Sequence, residues 1–412
     1  MYLKNLFAVI FTLMATAIIA QSTLVADEKE MLAIDVAYLS SDYLEGRFTG
    51  SEGEIKAADY IASRMEALGL KPAGVKGSYF HDFEFTYKPN PHSEDGAEKK
   101  QGRNVVGMID NGADQTIVIG AHYDHLGMGA AGSLHTGEPD IHNGADDNAS
   151  GVAAILNLAY KVQHDKKARA FNYVFIGFSG EELGLFGSKN WTMDPTYPLD
   201  KITCMLNFDM VGRLNDEKAI VINGVGTSPL WKGVIEDVAE GFTVKTTESG
   251  VGASDHTSFY LKDIPAIHFF TGQHQDYHKP GDDAHLVNYE GIYEITDMVV
   301  DMIEELPTND KMTFTKTTDA KDSRQRARFK VTLGVMPDYV FSGEGMRIDG
   351  VISGRSAEAA GMESGDVIIK IGSHEVKDIY GYMEALSKFS TGDKTEVVFM
   401  RGNEKITREV TF

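Results

Sequence analysis

Acidic residues and histidines recur in the middle of this chain where apolar or glycine-marked segments end. Carboxylates combined with two imidazoles are ligands that suit a pair of borderline divalent cations. Two such cations can activate a shared water, so the pattern predicts a two-metal hydrolase. The residues concerned are His122, Asp124, Asp146, Asp147, Glu181, Glu182, Asp209 and His278.

Two of these acidic pairs suggest how the work would be divided. Metals about 3.5–4 Å apart need a short, rigidly held carboxylate that bridges them. Asp147 fits, because it lies between Gly144 and Gly151, where the backbone can adopt unusual turns. In the pair Glu181-Glu182, one carboxylate would bind metal while the other stays free as a proton carrier. An isolated acidic pair is usually a solvated helix start, so this interpretation depends on the other motifs.

The elements that must position these residues follow from hydrophobic periodicity. The β-branched run at 116–121 predicts a buried strand that presents His122 at the edge of a sheet. Asp124 lies two residues further on, points to the same side of an extended segment, and can accept the other imidazole N–H. The remaining strands are predicted at 80–87, 104–109, 170–178, 204–208, 219–223 and 264–270. Helices are predicted at 30–39, 55–68, 150–162, 231–240 and 291–306, and a loop at 88–103.

Strands that alternate with helices in this way predict an α/β fold, with a mostly parallel mixed sheet flanked by helices. The length of 412 residues favours two folded units. We expect an α/β domain over 27–306, a linker over 307–327, and a small β-rich domain over 328–412. In the β-rich domain, strands are predicted at 329–335, 345–352, 366–371 and 395–400, and a helix at 379–389.

The first 20 residues are typical of a secretory signal peptide. Lys4 precedes an apolar core of about 15 residues, shorter than the span of about 20 that a membrane helix needs. Cleavage is expected after Ala20 or as late as Ala26, and an uncleaved anchor is the alternative. We therefore expect a periplasmic or extracellular protein with no stable membrane span after cleavage.

Charge and cysteine content exclude some functions. The net charge of −22 disfavours nucleic acid as a partner and predicts a self-repelling surface. Cys204 is the only cysteine, so no intramolecular disulfide can form. It lies in an apolar stretch, which indicates a buried structural thiol rather than a nucleophile.

Five motifs, in the same order, resemble those of the bacterial dizinc aminopeptidases. Relatives of that family include glutamate carboxypeptidase II and the zinc-dependent glutaminyl cyclases. The resemblance covers about residues 104–283, and the set of five is far more specific than any one motif. The motifs are Ala121–Asp124, Gly144–Gly151, Ser179–Gly184, Asn207–Met210 and Tyr277-His278.

The resemblance implies a zinc exopeptidase fold, two Zn²⁺ ions, and peptide substrates with a free N-terminus. It implies that Asp147 bridges the ions, that His122 and Asp209 complete one site, and that Glu182 and His278 complete the other.

The same resemblance implies roles for three further residues. Glu181 would be the general base and then the acid, and Asp124 would orient the imidazole of the first site. Tyr277 is a candidate for stabilising the oxyanion. The peptide bond after Asp147 is expected to be cis.

Alternatives remain open within this interpretation. A glutaminyl cyclase would generally use a single zinc, so metal stoichiometry separates the two activities. Asp255 and His256 are expected to be scaffold for the pocket, and Met210 and Phe259 to line it. Other histidines could be alternative ligands, but positions on the surface or in the pocket lining are expected. They are His125, His135, His142, His268 and His274.

Two stretches of the last domain, Thr332–Val335 and Ser356–Ile368, resemble the bacterial PDZ domain. The resemblance implies that the loop of Leu333, Gly334 and Val335 donates N–H groups to the carboxylate of a C-terminal peptide ligand. The helix at 379–389 would form the other side of that groove. A purely structural domain, or a peptide-binding adaptor whose peptidase activity is secondary, are the alternatives.

Overall fold

The computed structural model of the chain describes residues 28–87, 98–129, 132–317, 331–337, 341, 343–351, 355–377 and 379–412. The expected signal segment and the linker residues 318–327 lie outside these ranges. Within them, no helix is both long and apolar enough to cross a membrane.

The larger sheet has nine strands in the order β1-β3-β5-β4-β6-β9-β7-β8, and β2 pairs with β3. Strands β5, β4, β6 and β9 run parallel to their neighbours in the centre, whereas β3 and β7 join them antiparallel. The expected mixed α/β sheet is therefore confirmed. The strands are β1 (Lys71–Pro72), β2 (Phe80–Tyr87), β3 (Glu98–Ile109), β4 (Thr116–His122), β5 (Asn172–Phe178), β6 (Ile202–Phe208), β7 (Ala219–Asn223), β8 (Thr243–Thr247) and β9 (Ala266–Phe270).

Helices cover both faces of this sheet. Successive side chains of the central strands point to opposite faces and so belong to two different hydrophobic clusters. On β4, Ile117 and Ile119 belong to the larger cluster, whereas Val118 belongs to the smaller one. This burial on both faces explains why the central strands read as continuous apolar runs. The helices are α1 (28–39), α2 (Glu52–Ala67), α3 (Gly151–His164), α4 (Phe186–Met193), α5 (Trp231–Val238), α6 (His256–Tyr260) and α7 (Tyr289–Glu304).

The loop predicted over 88–103 is wrong for its last six residues. Residues 98–103 belong to β3 and pair antiparallel with β2. Cross-strand ion pairs accompany this hairpin, with Arg103 Nε 2.6 Å from Asp82 Oδ1. Charged residues suit a strand with a solvent-facing side, and that is why composition alone indicated a loop here.

The C-terminal part has its own antiparallel sheet in the order β10-β11-β12-β14-β15, with β13 beside β12. Its core, which includes Leu333, Ile368 and Phe399, is separate from the clusters of the larger sheet. The strand predicted at 329–335 is wrong at 331–334, and β13 and β15 were not predicted. The elements are β10 (Val335–Pro337), β11 (Met346–Val351), α8 (Ser356–Ala359), β12 (Val367–Ile371), β13 (His374–Glu375), α9 (Ile379–Leu386), β14 (Lys394–Arg401) and β15 (Glu404–Thr411).

Candidate active site

The carboxyl ends of the parallel strands bring the candidate ligands to one rim of the large sheet. His122 is the last residue of β4, and Asp209 directly follows β6. Glu181 and Glu182 lie in the loop after β5, and His278 lies in the loop after β9. Neighbouring parallel strands end at the same edge, so residues far apart in sequence meet there.

Asp147 enters from the irregular turn Ala145–Ser150 that leads into α3. Its Oδ1 atom lies 3.3 Å from His122 Nε2, and its Oδ2 atom lies 3.2 Å from His278 Nε2. The carboxylate therefore stands between two imidazoles and presents one oxygen to each. The peptide bond between Asp147 and Asn148 is cis.

Each imidazole also faces a second carboxylate. His122 Nε2 lies 3.4 Å from Asp209 Oδ1, and His278 Nε2 lies 3.3 Å from Glu182 Oε2. The ligand atoms of His122, Asp147 and Asp209 all lie within 4.8 Å of one another. Asp147 thus belongs to two groups of ligand atoms. One contains His122 and Asp209, and the other contains His278 and Glu182.

The electrostatics of this cluster fit bound cations. Burial lowers the pKa of His278, but the charges of Glu182 and Asp147 raise it overall to about 11. The pKa of His122 is likewise well above its ordinary value, because Asp209 and Glu181 outweigh the effect of burial. Positive charge placed between these carboxylates is therefore stabilised by them. Divalent cations held by nitrogen and oxygen ligands would supply it, and zinc takes this donor set.

The two adjacent glutamates have pKa values shifted in opposite directions. Burial raises the pKa of Glu181 well above its usual range. Burial acts the same way on Glu182, but the charge of His278 and a hydrogen bond with His125 lower its pKa to about 2. Glu181 Oε2 lies 4.0 Å from His122 Nε2, further away than either carboxylate of that group. Such a separation of pKa values distinguishes a proton carrier from a permanent anion.

Asp124 connects the strand that carries His122 to the glutamate loop. His122 Nδ1 lies 3.2 Å from the main-chain carbonyl oxygen of Asp124 and 3.6 Å from its carboxylate. The carboxylate also accepts hydrogen bonds from the backbone N–H of Glu181 at 3.1 Å and from Thr49 Oγ1 at 3.0 Å. The buried Asp124 therefore positions both the imidazole of His122 and the loop that carries Glu181.

His125 is buried, not on the surface, and is closer to the candidate ligands than the sequence indicated. Its Nδ1 atom lies 2.8 Å from Glu182 Oε1. Ligand atoms of His125, Asp147 and Glu182 also lie within 4.8 Å of one another. Its spacing from His122 was the available signal, but spacing alone does not give the direction of a side chain. Of the other histidines, His135 is exposed and His142 is fully buried.

Arg47 is a buried residue of the site that the sequence did not single out. Its guanidinium donates to the carbonyl oxygens of Tyr123 at 2.7 Å, Asn143 at 2.7 Å and Gly144 at 3.0 Å. Burial lowers the pKa of Arg47 to about 10. The side chain ties the segment after β4 to the turn that carries Asp147.

A second group missed by sequence reasoning supports that turn from the other side. Asp282 Oδ2 accepts the backbone N–H groups of Asp146 at 2.8 Å and Asp147 at 3.0 Å, while Oδ1 lies 3.1 Å from Arg213 Nη2. His274 Nε2 lies 3.2 Å from Asp146 Oδ2. The position of Asp282, four residues after His278, was its only sequence signal.

The five candidate metal ligands and Glu181 line a cavity of about 320 Å³, which we call the catalytic cavity. Met210 and Tyr277 line it, and the Tyr277 ring stacks on the ring of His278 at 3.8 Å. Phe259 does not line it, because its ring packs in the core against Trp191, 5.6 Å away.

The Ser254–His256 segment is buried beside the catalytic cavity. Asp255 and His256 are both 0% exposed. His256 lines the cavity and stacks on His268 at 5.0 Å.

Several proteins to which the chain is similar are named as leucine aminopeptidases or probable leucine aminopeptidases. It is 24% identical over 294 residues to a probable leucine aminopeptidase of Arthroderma otae, covering 68% of this chain and 72% of that protein. It is 27% identical over 228 residues to leupeptin-inactivating enzyme 1 of Streptomyces exfoliatus, covering 55% and 44%. The chain thus spans about half the length of that relative.

Solved structures show the same fold. An aminopeptidase from Aneurinibacillus sp. matches with a TM-score of 0.52 and 17% identity, over 70% of this chain and 95% of that one. Glutaminyl cyclase from Bacteroides thetaiotaomicron matches with a TM-score of 0.54 and 18% identity, over 68% and 98%. The expected zinc exopeptidase fold is confirmed.

Family models match the two parts of the chain separately. Residues 104–303 match peptidase family M28, and residues 312–412 match the PDZ domain. The chain therefore contains a peptidase domain of family M28 followed by a PDZ domain, as its motifs indicated.

Proposed function

We propose that this protein is a dizinc aminopeptidase that removes N-terminal residues from peptides. The observation that carries the proposal is the position of Asp147, with one carboxylate oxygen toward His122 and the other toward His278. A carboxylate shared in this way suits a bridge between two metal ions. The named aminopeptidase relatives support the same activity.

Asp147 would be common to both zinc ions, with His122 and Asp209 at one and Glu182 and His278 at the other. When bound, the zinc ions polarise the scissile carbonyl and make a water more acidic. The pKa values of the adjacent Glu181 and Glu182 are shifted in opposite directions, which supports Glu181 as base and Glu182 as ligand.

Glu181 would take a proton from the attacking water and return it to the leaving amine as the carbon–nitrogen bond breaks. Asp124 would hold the Glu181 backbone and the imidazole of His122 in position. Burial raises the pKa of Tyr277 well above its usual range, so its hydroxyl stays protonated and can donate to a developing oxyanion.

The test is metal analysis of the purified protein combined with a panel of free and N-acetylated peptides. We expect two zinc ions per chain, release of N-terminal residues from free peptides alone, and loss of activity with a chelator. Hydrolysis that survives complete chelation would refute the proposal.

A glutaminyl cyclase is the second candidate, favoured by the similar fold of the Bacteroides thetaiotaomicron enzyme. One zinc per chain, together with pyroglutamate formation from N-terminal glutamine, would replace the aminopeptidase proposal with this one.

We also propose that the PDZ domain binds peptide C-termini at Leu333, Gly334 and Val335, and that residues 1–20 direct export. Gly334 has a φ of +77°, which suits a tight binding loop, and it precedes the edge strand β10. Titration with C-terminal peptides, in free-acid and amidated forms, tests peptide binding by the PDZ domain.

N-terminal sequencing of the mature protein tests whether residues 1–20 direct export.

A further inference from the structure

The PDZ domain reaches the catalytic cavity of the peptidase domain. Met383, on α9, lines that cavity together with the candidate ligands. Lys245 lines the same cavity, and its Nζ donates a hydrogen bond of 3.0 Å to the carbonyl oxygen of Phe341. A contact between the domains therefore lies at the rim of the cavity.

A second cavity of about 360 Å³ is also shared by the two domains. Arg347 and Ser364 of the PDZ domain line it with Arg213 and the segment 271–276. That segment precedes Tyr277 and His278, so the PDZ domain also lies beside the loop that carries these two residues.

Met383 is free to contact a ligand because the PDZ core does not need it. The neighbouring Tyr382 and Ala385 are buried in that core, whereas Met383 is 39% exposed and outside it. Methionine is flexible and polarisable, so it adapts to varied apolar groups. The Met383 side chain is therefore available to contact a ligand in the cavity and does not contribute to the PDZ core.

The size of the catalytic cavity limits what Met383 can contact. A volume of 320 Å³ lies at the lower end of the range of about 300–1,000 Å³ for small-molecule sites. A peptide whose scissile bond lies at Asp147 occupies a cavity that has Met383 in its wall.

We propose that Met383 contacts the substrate residue that follows the scissile bond, so that the PDZ domain supplies part of the specificity of the peptidase. An apolar residue at that position is favoured. The inference rests on the proposed function, because it assumes that the scissile bond binds at the candidate metal ligands.

Kinetics with two substrate types test this inference. Leucinamide has no residue beyond the scissile bond, whereas Leu-Phe-Ala has an apolar one. We expect Met383→Glu to lower kcat/KM for Leu-Phe-Ala about tenfold, mainly through KM, since one apolar contact discriminates by about 10–200-fold. The loss for leucinamide should be clearly smaller, because that substrate lacks the contact, and Met383→Leu should behave like the wild type.

The matched control is Glu384→Gln, because Glu384 is the next residue on α9, is exposed, and does not line the cavity. Equal effects on both substrates, or no effect on either, would overturn the inference while the proposed function stands. A wild-type protein that hydrolyses neither substrate would overturn the proposed function itself.

A readout without turnover uses the single cysteine, Cys204, which is buried. Introducing Met383→Cys adds an accessible thiol whose alkylation rate can be followed. A peptide with a reduced scissile bond should slow alkylation at least tenfold, and free leucine, which is not turned over and has no residue beyond the scissile bond, should not. Unchanged alkylation with saturating peptide contradicts the inference, and Glu384→Cys provides the control.

Discussion

The backbone N–H of Asp147 donates a hydrogen bond of 3.0 Å to Oδ2 of Asp282. The same oxygen accepts the N–H of Asp146 at 2.8 Å, so one buried carboxylate holds the turn from which the proposed bridging ligand projects. Groups that orient metal ligands typically change metal affinity by about 10–100-fold when they are removed.

We therefore expect Asp282→Ala to weaken zinc binding by about 10–100-fold, measured by competition with a chelating dye. Asp283→Ala is the control, since Asp283 is adjacent in the chain and its carboxylate accepts a hydrogen bond of 3.1 Å from Asn143 Nδ2, outside the turn Ala145–Ser150. Unchanged zinc affinity in a folded Asp282→Ala variant would rule out this supporting role.

Neutral substitutions of Glu181 and Glu182 should have different effects on zinc content and kcat. Glu181→Gln should keep its zinc but lose about 10²–10⁴-fold in kcat, the usual contribution of a general base. Glu182→Gln should lose zinc, because its pKa of about 2 reflects a permanent anion among imidazoles. Zinc content and kcat measured on the same preparations separate the two, and full turnover by Glu181→Gln would exclude it as the base.

Two imidazoles stand near Glu182, and their variants should differ in zinc stoichiometry. His278→Ala should bind one zinc per chain, because its Nε2 faces both Glu182 and Asp147. His125→Ala should still bind two at saturating zinc with lower affinity, because its Nδ1 only orients Glu182. The reverse result would make His125 the ligand.

Glu54 should give the fold a recognisable pH dependence. It is 2% exposed, accepts hydrogen bonds from Ser179 Oγ and the Gly50 N–H, and burial raises its pKa from 4.5 to about 8. Between those values the folded protein keeps a proton that the unfolded chain has lost, so raising the pH lowers the free energy of unfolding.

We expect Glu54→Gln to remove that dependence. The stability difference between wild type and variant should therefore shift against the wild type from pH 5 to pH 8, by up to about 1.4 kcal/mol per pH unit. Urea denaturation across this range measures it, with the exposed Glu52→Gln as control. Parallel stability profiles for wild type and Glu54→Gln would contradict the pKa shift.

The elements that could be predicted were those whose sequence pattern matches their burial. Strand β4 was predicted because every residue of Thr116–His122 is buried. Strand β3 was predicted only in its buried half, since its first residues are charged and pair with β2 at the surface. Strand β15 was missed because only one of its eight residues is fully buried.

The sequence by itself predicted the mixed α/β fold through its hydrophobic periodicity. It predicted the family and the candidate ligands through five motifs that resemble those of the dizinc aminopeptidases, because each motif is a short local stretch of chain. Only the tertiary structure brought His125, Arg47 and Asp282 to the rim, since each acts through contacts with residues far away in the chain. It also decided that Met383 lies in the wall of the catalytic cavity. No local pattern reports such a contact, because it depends on how two separately folded cores pack against each other.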